Sequence, residues 1–201
     1  HGGFGKALYI DHPNGFTTVY AHLKKFNKEI ENYIKKIQYK RQSYEIDLYL
    51  NKNDFPINKN DVIAFSGNTG SSSGPHLHYE IRKSSNQKPL NPILFGMHVD
   101  DSRRPEIKSV YVYNNVDINN YNSIDPIKLS LKKIIDNIFK TKEINLKGKS
   151  GFGINVFDRQ DAANNKNGVY NISTYYNDEL VNSIIYNGFL FEESILINTL
   201  I

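Results

Sequence analysis

The chain has 201 residues, a formal net charge of +4 at pH 7, and a composition that is 39% hydrophobic, 12% aromatic and 23% charged. This length accommodates one large domain or two small ones, and no apolar run approaches the length that spans a bilayer. The chain has no cysteine, which excludes disulfides and cysteine-ligated zinc, so a zinc site would use His, Asp or Glu. The modest positive charge suits an anionic partner but is too diffuse to indicate nucleic acid.

The first residues, 1–23, predict a β-hairpin. Residues 7–10 have strand character, and residues 11–15 (DHPNG) then place Asn-Gly before the next run, which is the strongest short-range hairpin signal. On the returning strand, residues 18–23 alternate between polar and apolar side chains. We therefore expect His22 on the polar face of this strand, with the apolar side chains pointing into the core.

The segment after the hairpin changes its period. Residues 24–44 repeat apolar side chains at spacings of three and four, which predicts a helix whose polar face is rich in lysine and glutamate. A lid over a binding site is one interpretation of this helix, and an amphipathic helix packed on the sheet is the one we favour. Residues 45–50 and 62–65 are predicted to be short strands.

A glycine- and serine-rich loop at residues 67–73 leads into residues 74–80 (GPHLHYE). In a strand, His76 and His78 would present their imidazoles on one face, while Leu77 would point into the core. Such a pair can hold a metal and move a proton, although a short His-x-His pattern is more often two surface histidines. The loop and the further histidine of the predicted hairpin favour a functional site.

The second half of the chain predicts a different domain. Prolines interrupt residues 88–92, and the charged segment that follows reads as a linker. We expect a domain over 1–98, a linker over 99–105 and a small antiparallel, sandwich-like β domain over 106–201. Its predicted strands are residues 107–113, 151–157, 169–176 and 180–186, with residues 127–139 ambiguous.

Four motifs together resemble the LytM/lysostaphin-type zinc metalloendopeptidases, which cleave peptide cross-links in bacterial peptidoglycan. They are residues 11–15 (DHPNG), 20–23 (YAHL), 67–70 (GNTG) and 74–80 (GPHLHYE). The resemblance covers roughly the first half of the chain. It implies a mostly β fold of the duplicated hybrid motif type, an antiparallel sheet with one inserted helix. The second half looks like the β domain appended to some family members from Bacteroidetes-like bacteria.

The resemblance also implies roles for individual residues. His78 would be a ligand of Zn²⁺, and His22 and His76 would handle protons and stabilise the oxyanion beside the metal. Physically, a catalytic zinc needs three protein ligands and one open position. Glu80 would share the face of His78 and could orient its ring, but we favour an ion pair between Glu80 and Arg82.

The sequence departs from the family pattern in one respect, because no His-x-x-x-Asp motif precedes the hairpin. His1 lies too close to the first strand to serve as that histidine, while His12 lies in the turn and His98 in the linker, where both are expected to be structural. One expected ligand of three, His78, therefore remains, and a single imidazole does not hold zinc.

Two interpretations follow. The chain is a fragment of an active zinc endopeptidase whose other ligands lie upstream, or it is a non-catalytic LytM-like module that binds wall or activates other cell-wall hydrolases. We favour the fragment, because a decayed enzyme has no mechanistic need for three such histidines. A third hypothesis is a wall-binding protein whose affinity resides in residues 106–201.

The expected partners follow from the substrate class. They are the peptides of peptidoglycan, with a protein partner in the envelope left open, and without nucleic acid or a transmembrane segment. The resemblance places the protein in the cell envelope, periplasmic or secreted, although the N-terminus as given shows no signal peptide and no methionine.

Overall fold

The computed structural model describes residues 3–114, 116 and 125–193. His1, which the sequence excluded as a metal ligand, lies outside the described residues. None of the helices in the described part of the chain combines the length and hydrophobicity needed to cross a membrane.

The described residues are mostly β, with antiparallel strands and a single α-helix, which confirms the predicted fold class. The chain divides into two compact units, His1–Leu90 and Asn91–Ile201. The domain limits predicted from the sequence, 1–98, 99–105 and 106–201, stay a prediction.

The first unit is built on a four-stranded antiparallel sheet. The strands of this unit are β1 (Leu8–Asp11), β2 (Phe16–Ala21), β3 (Leu23–Phe26), β4 (Ala64–Ser66), β5 (His78–Lys83) and β6 (Lys88–Leu90). The sheet has the order β1-β2-β5-β6, while β3 and β4 form a separate two-stranded ladder. Strand β5 pairs with β2 across 57 positions of the sequence, from Ala21 to its partner His78.

The predicted hairpin is confirmed. Strands β1 and β2 pair in register with Asp11 opposite Thr17, and Gly15 takes a φ of +83° in the turn. One detail was wrong, because β2 ends at Ala21 and His22 occupies a bend with a φ of +56°. The regular alternation stops at this bend, so His22 is not on the polar face of a strand, and its side chain is buried.

The predicted helix is present as α1 (Lys28–Arg41), and it begins four residues later than expected. Asn27 caps it, since its side-chain oxygen accepts the Ile30 N–H at 2.9 Å. The residues before the cap form β3 and pair with β4 instead, because a long-range ladder satisfies their backbone groups. Residues 45–50, predicted to be a strand, form no regular structure.

The core of the first unit lies between β3 and α1. Leu23, Phe26 and Ile30 are its buried members. The partly buried side chains that pack against them are Leu8, Tyr20, Ile34, Phe55 and Ala64. The face of the helix that the sequence pattern assigned to packing is therefore the face that meets the core.

The second unit is also antiparallel. Its strands are β7 (Glu106–Tyr113), β8 (Ile127–Leu129), β9 (Leu131–Ile135), β10 (Ile138–Thr141), β11 (Gly151–Phe157), β12 (Asn171–Tyr176) and β13 (Glu179–Ile185). They form a three-stranded sheet, β11-β7-β8, and two hairpins, β9-β10 and β12-β13. The ambiguous segment 127–139 thus consists of β8, β9 and the start of β10, and the turn between β12 and β13 has positive φ at Asn177 and Asp178, 48° and 66°.

Candidate active site

His22 is held by the segment that precedes β1. Its backbone N–H donates to Phe4 O at 2.9 Å, and the next amide, of Leu23, donates to Lys6 O at 3.0 Å. These two bonds fix the bend between β2 and β3 from outside the sheet. The His22 side chain is only 6% exposed, so its ring needs partners for its nitrogens.

The ring of His22 finds its partner in the glycine-rich loop. Its Nδ1 lies 2.8 Å from the backbone oxygen of Thr69. A carbonyl oxygen accepts but cannot donate, so Nδ1 carries the hydrogen and Nε2 carries the lone pair.

His76 lies at the end of the same loop. It forms an isolated bridge with Gly67, whose carbonyl accepts the His76 N–H at 3.0 Å. The prediction that His76 lies in a strand was therefore wrong. Its Nδ1 lies 2.8 Å from Gly74 O and 3.2 Å from Ser72 Oγ. The carbonyl places the hydrogen on Nδ1 here too, so Nε2 of this exposed histidine carries the lone pair.

His78 is the first residue of β5, opposite Ala21, and its hydrogen-bonded ring nitrogen is Nε2 rather than Nδ1. Its Nε2 lies 2.5 Å from Glu80 Oε1, which leaves the lone pair on Nδ1. Glu80 uses its second oxygen, Oε2, to accept from Arg82 Nε at 2.6 Å. The sequence posed these two roles of Glu80 as competitors, and we favoured the ion pair, whereas the carboxylate performs both.

Glu80 is kept ionised by its partners. Its partial burial pushes the pKa up, but the hydrogen bonds from Arg82 and His78 push it further down, so the pKa lies below its ordinary value. Arg82 is itself buried and lies over the rings of Phe4 and Tyr9, at 5.8 and 5.5 Å from the ring centroids. This packing holds the guanidinium in place to bind Glu80.

The three histidines predicted to form a site come together. The ring centroid of His22 lies 4.8 Å from that of His76 and 5.6 Å from that of His78. Phe4 closes one side, with its ring 4.8 Å from that of His78. The expected position of Leu77 was wrong, because β5 begins only after this residue and its side chain is 48% exposed.

The other two described histidines lie elsewhere. His12 hydrogen-bonds through Nε2 to Thr18 Oγ1 at 2.8 Å, beside the hairpin turn. His98 belongs to the second unit and hydrogen-bonds to Asp100 Oδ1 at 2.9 Å. Each has a hydrogen-bond partner of its own.

A metal needs several convergent ligands, and the described residues do not supply them. Within 3–114, 116 and 125–193, no group of three His, Asp or Glu side chains is arranged to hold an ion. The Nδ1 of His78 is suitably prepared as one donor, since a carboxylate on the opposite ring nitrogen is the usual support of a metal-bound histidine. By themselves, then, the described residues do not fit a complete zinc site.

The contacts of two residues with the site were not predicted from the sequence. Phe4 lies in a glycine-rich segment without periodicity, so nothing marked it as a ring that packs on His78. Thr69 was noticed only as part of the GNTG motif, and its contact with His22 crosses 47 residues of sequence. The motif itself was the one available signal, and a motif does not reveal which atom of Thr69 faces which partner.

Comparisons with known proteins find similarity to a peptidase family over part of the chain. Peptidase family M23 matches residues 44–92. DD-carboxypeptidase/endopeptidase Mpg of Neisseria meningitidis serogroup B is 37% identical over 92 residues, which are 46% of this chain and 15% of that protein. An uncharacterized metalloprotease of Haemophilus influenzae is 34% identical over 92 residues, 46% of this chain and 14% of its own.

A further uncharacterized metalloprotease, from Buchnera aphidicola, is 33% identical over 88 residues, 44% of this chain and 17% of its own length. The chain thus spans about a sixth of the curated relatives it matches. The resemblance read from the motifs is confirmed as a similarity to peptidase family M23, whose model matches residues 44–92 of the chain.

Proposed function

We propose that this protein is a zinc-dependent endopeptidase that cleaves peptide cross-links of bacterial peptidoglycan. One observation carries the proposal. In a LytM-type domain, His22, His76 and His78 lie together, and each has one ring nitrogen bound to an acceptor and a lone pair on the other. Three imidazoles prepared in this way suit proton transfer and metal binding rather than simple packing.

His78 would hold the zinc through Nδ1, with Glu80 fixing the ring from the other side. When bound, zinc lowers the pKa of water to about 7 and polarises a carbonyl. The described residues offer this one donor, so a complete site needs ligands in addition to theirs.

The other two histidines would act on protons and charge. The Nε2 of His22 can accept a proton from the water that attacks the scissile carbonyl. An imidazole that has gained a proton carries positive charge and can stabilise the oxyanion that forms on the carbonyl oxygen. His76 is exposed and lies beside His22, so it is placed to share this task on the substrate side.

The substrate class rests on the relatives and on charge. The Neisseria relative carries the name DD-carboxypeptidase/endopeptidase, and the net charge of +4 suits an anionic wall polymer. A peptidase acting on peptidoglycan would work in the cell envelope, in the periplasm or outside the cell. A protein partner there remains a separate proposal.

The test uses the product of the longest open reading frame that contains these 201 residues. The purified protein is incubated with peptidoglycan sacculi, and the released fragments are separated and weighed by mass spectrometry. We expect cross-linked fragments to fall and uncross-linked ones to rise, and His78→Ala to abolish the change. His98→Ala, which alters an exposed histidine of the second unit, is the matched control and should leave cleavage intact.

The alternative is a non-catalytic LytM-like module that binds wall or activates other hydrolases. It is favoured by the lack of a three-ligand group among the residues that the structure describes. The same experiment separates the two. Sedimentation with sacculi and unchanged fragments in the presence of added zinc would support the alternative and contradict the enzyme.

A further inference from the structure

The Thr69 side chain closes a ring of hydrogen bonds under the site. Its Oγ1 accepts the Lys6 N–H at 3.0 Å and donates to Leu23 O at 2.9 Å. Lys6 O in turn accepts the Leu23 N–H at 3.0 Å. Three distant segments are therefore joined through one hydroxyl, and hydrogen bonds connected in this way reinforce one another.

This ring of hydrogen bonds fixes the position of a second group of Thr69, its backbone carbonyl. The carbonyl of Thr69 lies 2.8 Å from Nδ1 of His22, and Leu23, which receives the Thr69 hydroxyl, is the next residue after His22. Thr69 thus contacts the ring of His22 and the backbone just beyond it. A shift of Thr69 relative to the bend would lengthen both contacts together.

The contact decides where the lone pair of His22 resides. Histidine in water favours the tautomer with hydrogen on Nε2, whereas a carbonyl acceptor at Nδ1 selects the tautomer with hydrogen on Nδ1. In the structure the acceptor is Thr69 O, so the intrinsic preference of His22 is reversed. The lone pair then lies on Nε2, the nitrogen that the hydrogen bond leaves available to neighbouring groups.

We propose that Thr69 is a positioning residue, whose hydroxyl holds its own carbonyl against His22 and so selects the Nδ1–H tautomer of that histidine. The functional meaning rests on the proposed role of His22 as a proton acceptor, which needs the lone pair on Nε2. The tautomer itself is a property of the folded chain and can be measured without any activity.

Thr69 also occupies a place where the loop has little freedom to compensate. A Cβ added to Gly5 would lie 2.5 Å from the carbonyl carbon of Thr69 and 2.6 Å from its Oγ1. The backbone of the N-terminal segment therefore lies directly against Thr69. Loss of the hydroxyl leaves Lys6 N–H and Leu23 O without this partner, and the carbonyl loses its anchor.

The test is a two-bond ¹H–¹⁵N correlation spectrum of the ¹⁵N-labelled chain at about pH 8.5, where imidazoles of ordinary pKa are neutral. Each of the 6 histidines gives a pattern that reports its tautomer, and the His22 pattern is identified by its loss in His22→Gln. In the wild-type chain we expect His22 to show the Nδ1–H pattern. An Nε2–H pattern in the wild type would overturn the proposal at once.

The variants separate the hydroxyl from the rest of the side chain. Thr69→Val keeps the shape and removes the hydroxyl, so we expect most of the His22 population to move to the Nε2–H pattern. Thr69→Ser keeps the hydroxyl and should retain the wild-type pattern. Ser71→Ala is the matched control, since it removes a different hydrogen bond between the same loop and the same N-terminal segment, to Gly3 N–H at 3.0 Å.

Each outcome bears on the proposal. An unchanged His22 pattern in a folded Thr69→Val would overturn it, as would a change in Thr69→Ser or an equal change in Ser71→Ala. Where the valine variant does not fold, Thr69→Ala also removes the hydroxyl and should show the same move to the Nε2–H pattern, and an unchanged pattern there would overturn the proposal. A protein with the Nδ1–H tautomer at His22 that does not cleave peptidoglycan would contradict the proposed function alone.

Discussion

Alanine substitutions of glycines around the site test how tightly the loop at 67–73 and the adjoining Gly74 are packed. Gly70 has a φ of +76°, and an added Cβ would overlap Gly3 O and Gly5 N and lie 2.8 Å from Gly5 Cα. Gly67 has no such φ, but its Cβ would lie 2.5 Å from Lys24 N. The two positions thus differ in backbone strain while sharing a close approach of another backbone.

Two further glycines complete the comparison. Gly15 has a φ of +83° with nothing within 4 Å of an added Cβ, and Gly74 has neither a positive φ nor a neighbour within 4 Å. Gly15→Ala therefore measures only the cost of placing a side chain at a left-handed φ, and Gly74→Ala is the matched control at the end of the loop. Each substitution adds the same single methyl group.

The expected costs follow from these distances. A left-handed φ costs a non-glycine residue about 1 kcal/mol. Forcing an atom into packed structure costs about 1–3 kcal/mol. We expect a destabilisation near zero for Gly74→Ala, about 1 kcal/mol for Gly15→Ala, about 1–3 for Gly67→Ala and about 2–4 for Gly70→Ala.

The assay must report on the first unit alone, because the chain has two compact units. Amide NMR signals of Val19 and Ala21, which are fully buried, can be followed in a urea series. With a urea dependence of about 2 kcal/mol per M, Gly70→Ala should lower the midpoint by about 1–2 M. Equal midpoints for Gly70→Ala and Gly15→Ala would refute the close backbone approach.

Three other predictions concern side chains. In the gene product that contains this chain, His78→Ala should lose metal, whereas His22→Ala and His76→Ala should keep it and lose cleavage by about 10²–10⁴-fold. Metal content by mass spectrometry checks this, and metal loss in either of the latter two would contradict the assigned roles. Asn27→Ala removes the cap of α1 and should cost about 1 kcal/mol in urea unfolding. Glu80 has a lowered folded-state pKa, so its stabilisation is present above the unfolded pKa and lost as pH falls through the folded one. Between pH 6 and 3 the wild type should therefore lose more unfolding free energy than Glu80→Gln.

The parts of the fold that the sequence predicted well are those governed by local signals. The Asn14–Gly15 sequence marks the first hairpin because the turn needs a positive φ, which Gly15 supplies. The period of α1 was clear because the helix buries one stripe, including Ile30. Its start was misplaced because pairing of Lys25 and Phe26 with β4 outweighed the helical pattern, and no local signal announces a partner strand about 40 residues away.

The candidate site shows the same division. The motifs identified His22, His76 and His78 as a group, and the structure brings their rings together. Their settings were not predictable in detail. His22 adopts a positive φ that side-chain alternation cannot indicate, and His76 reaches its place through a single bridge to Gly67 rather than through a strand.

The hydrogen bonds that hold His22 have a consequence for folding. They join residues far apart in sequence, with separations of 63 between Lys6 and Thr69 and 47 between His22 and Thr69. Contacts of such separation form only after a long segment has been closed into a loop, whereas the β1–β2 hairpin closes over a few residues. The site is therefore expected to assemble late, after its supporting hairpin. For the same reason, release of the 67–73 loop alone would separate Thr69 from His22 while β1 and β2 stay paired. Amide hydrogens of this loop should therefore exchange faster than those of the sheet.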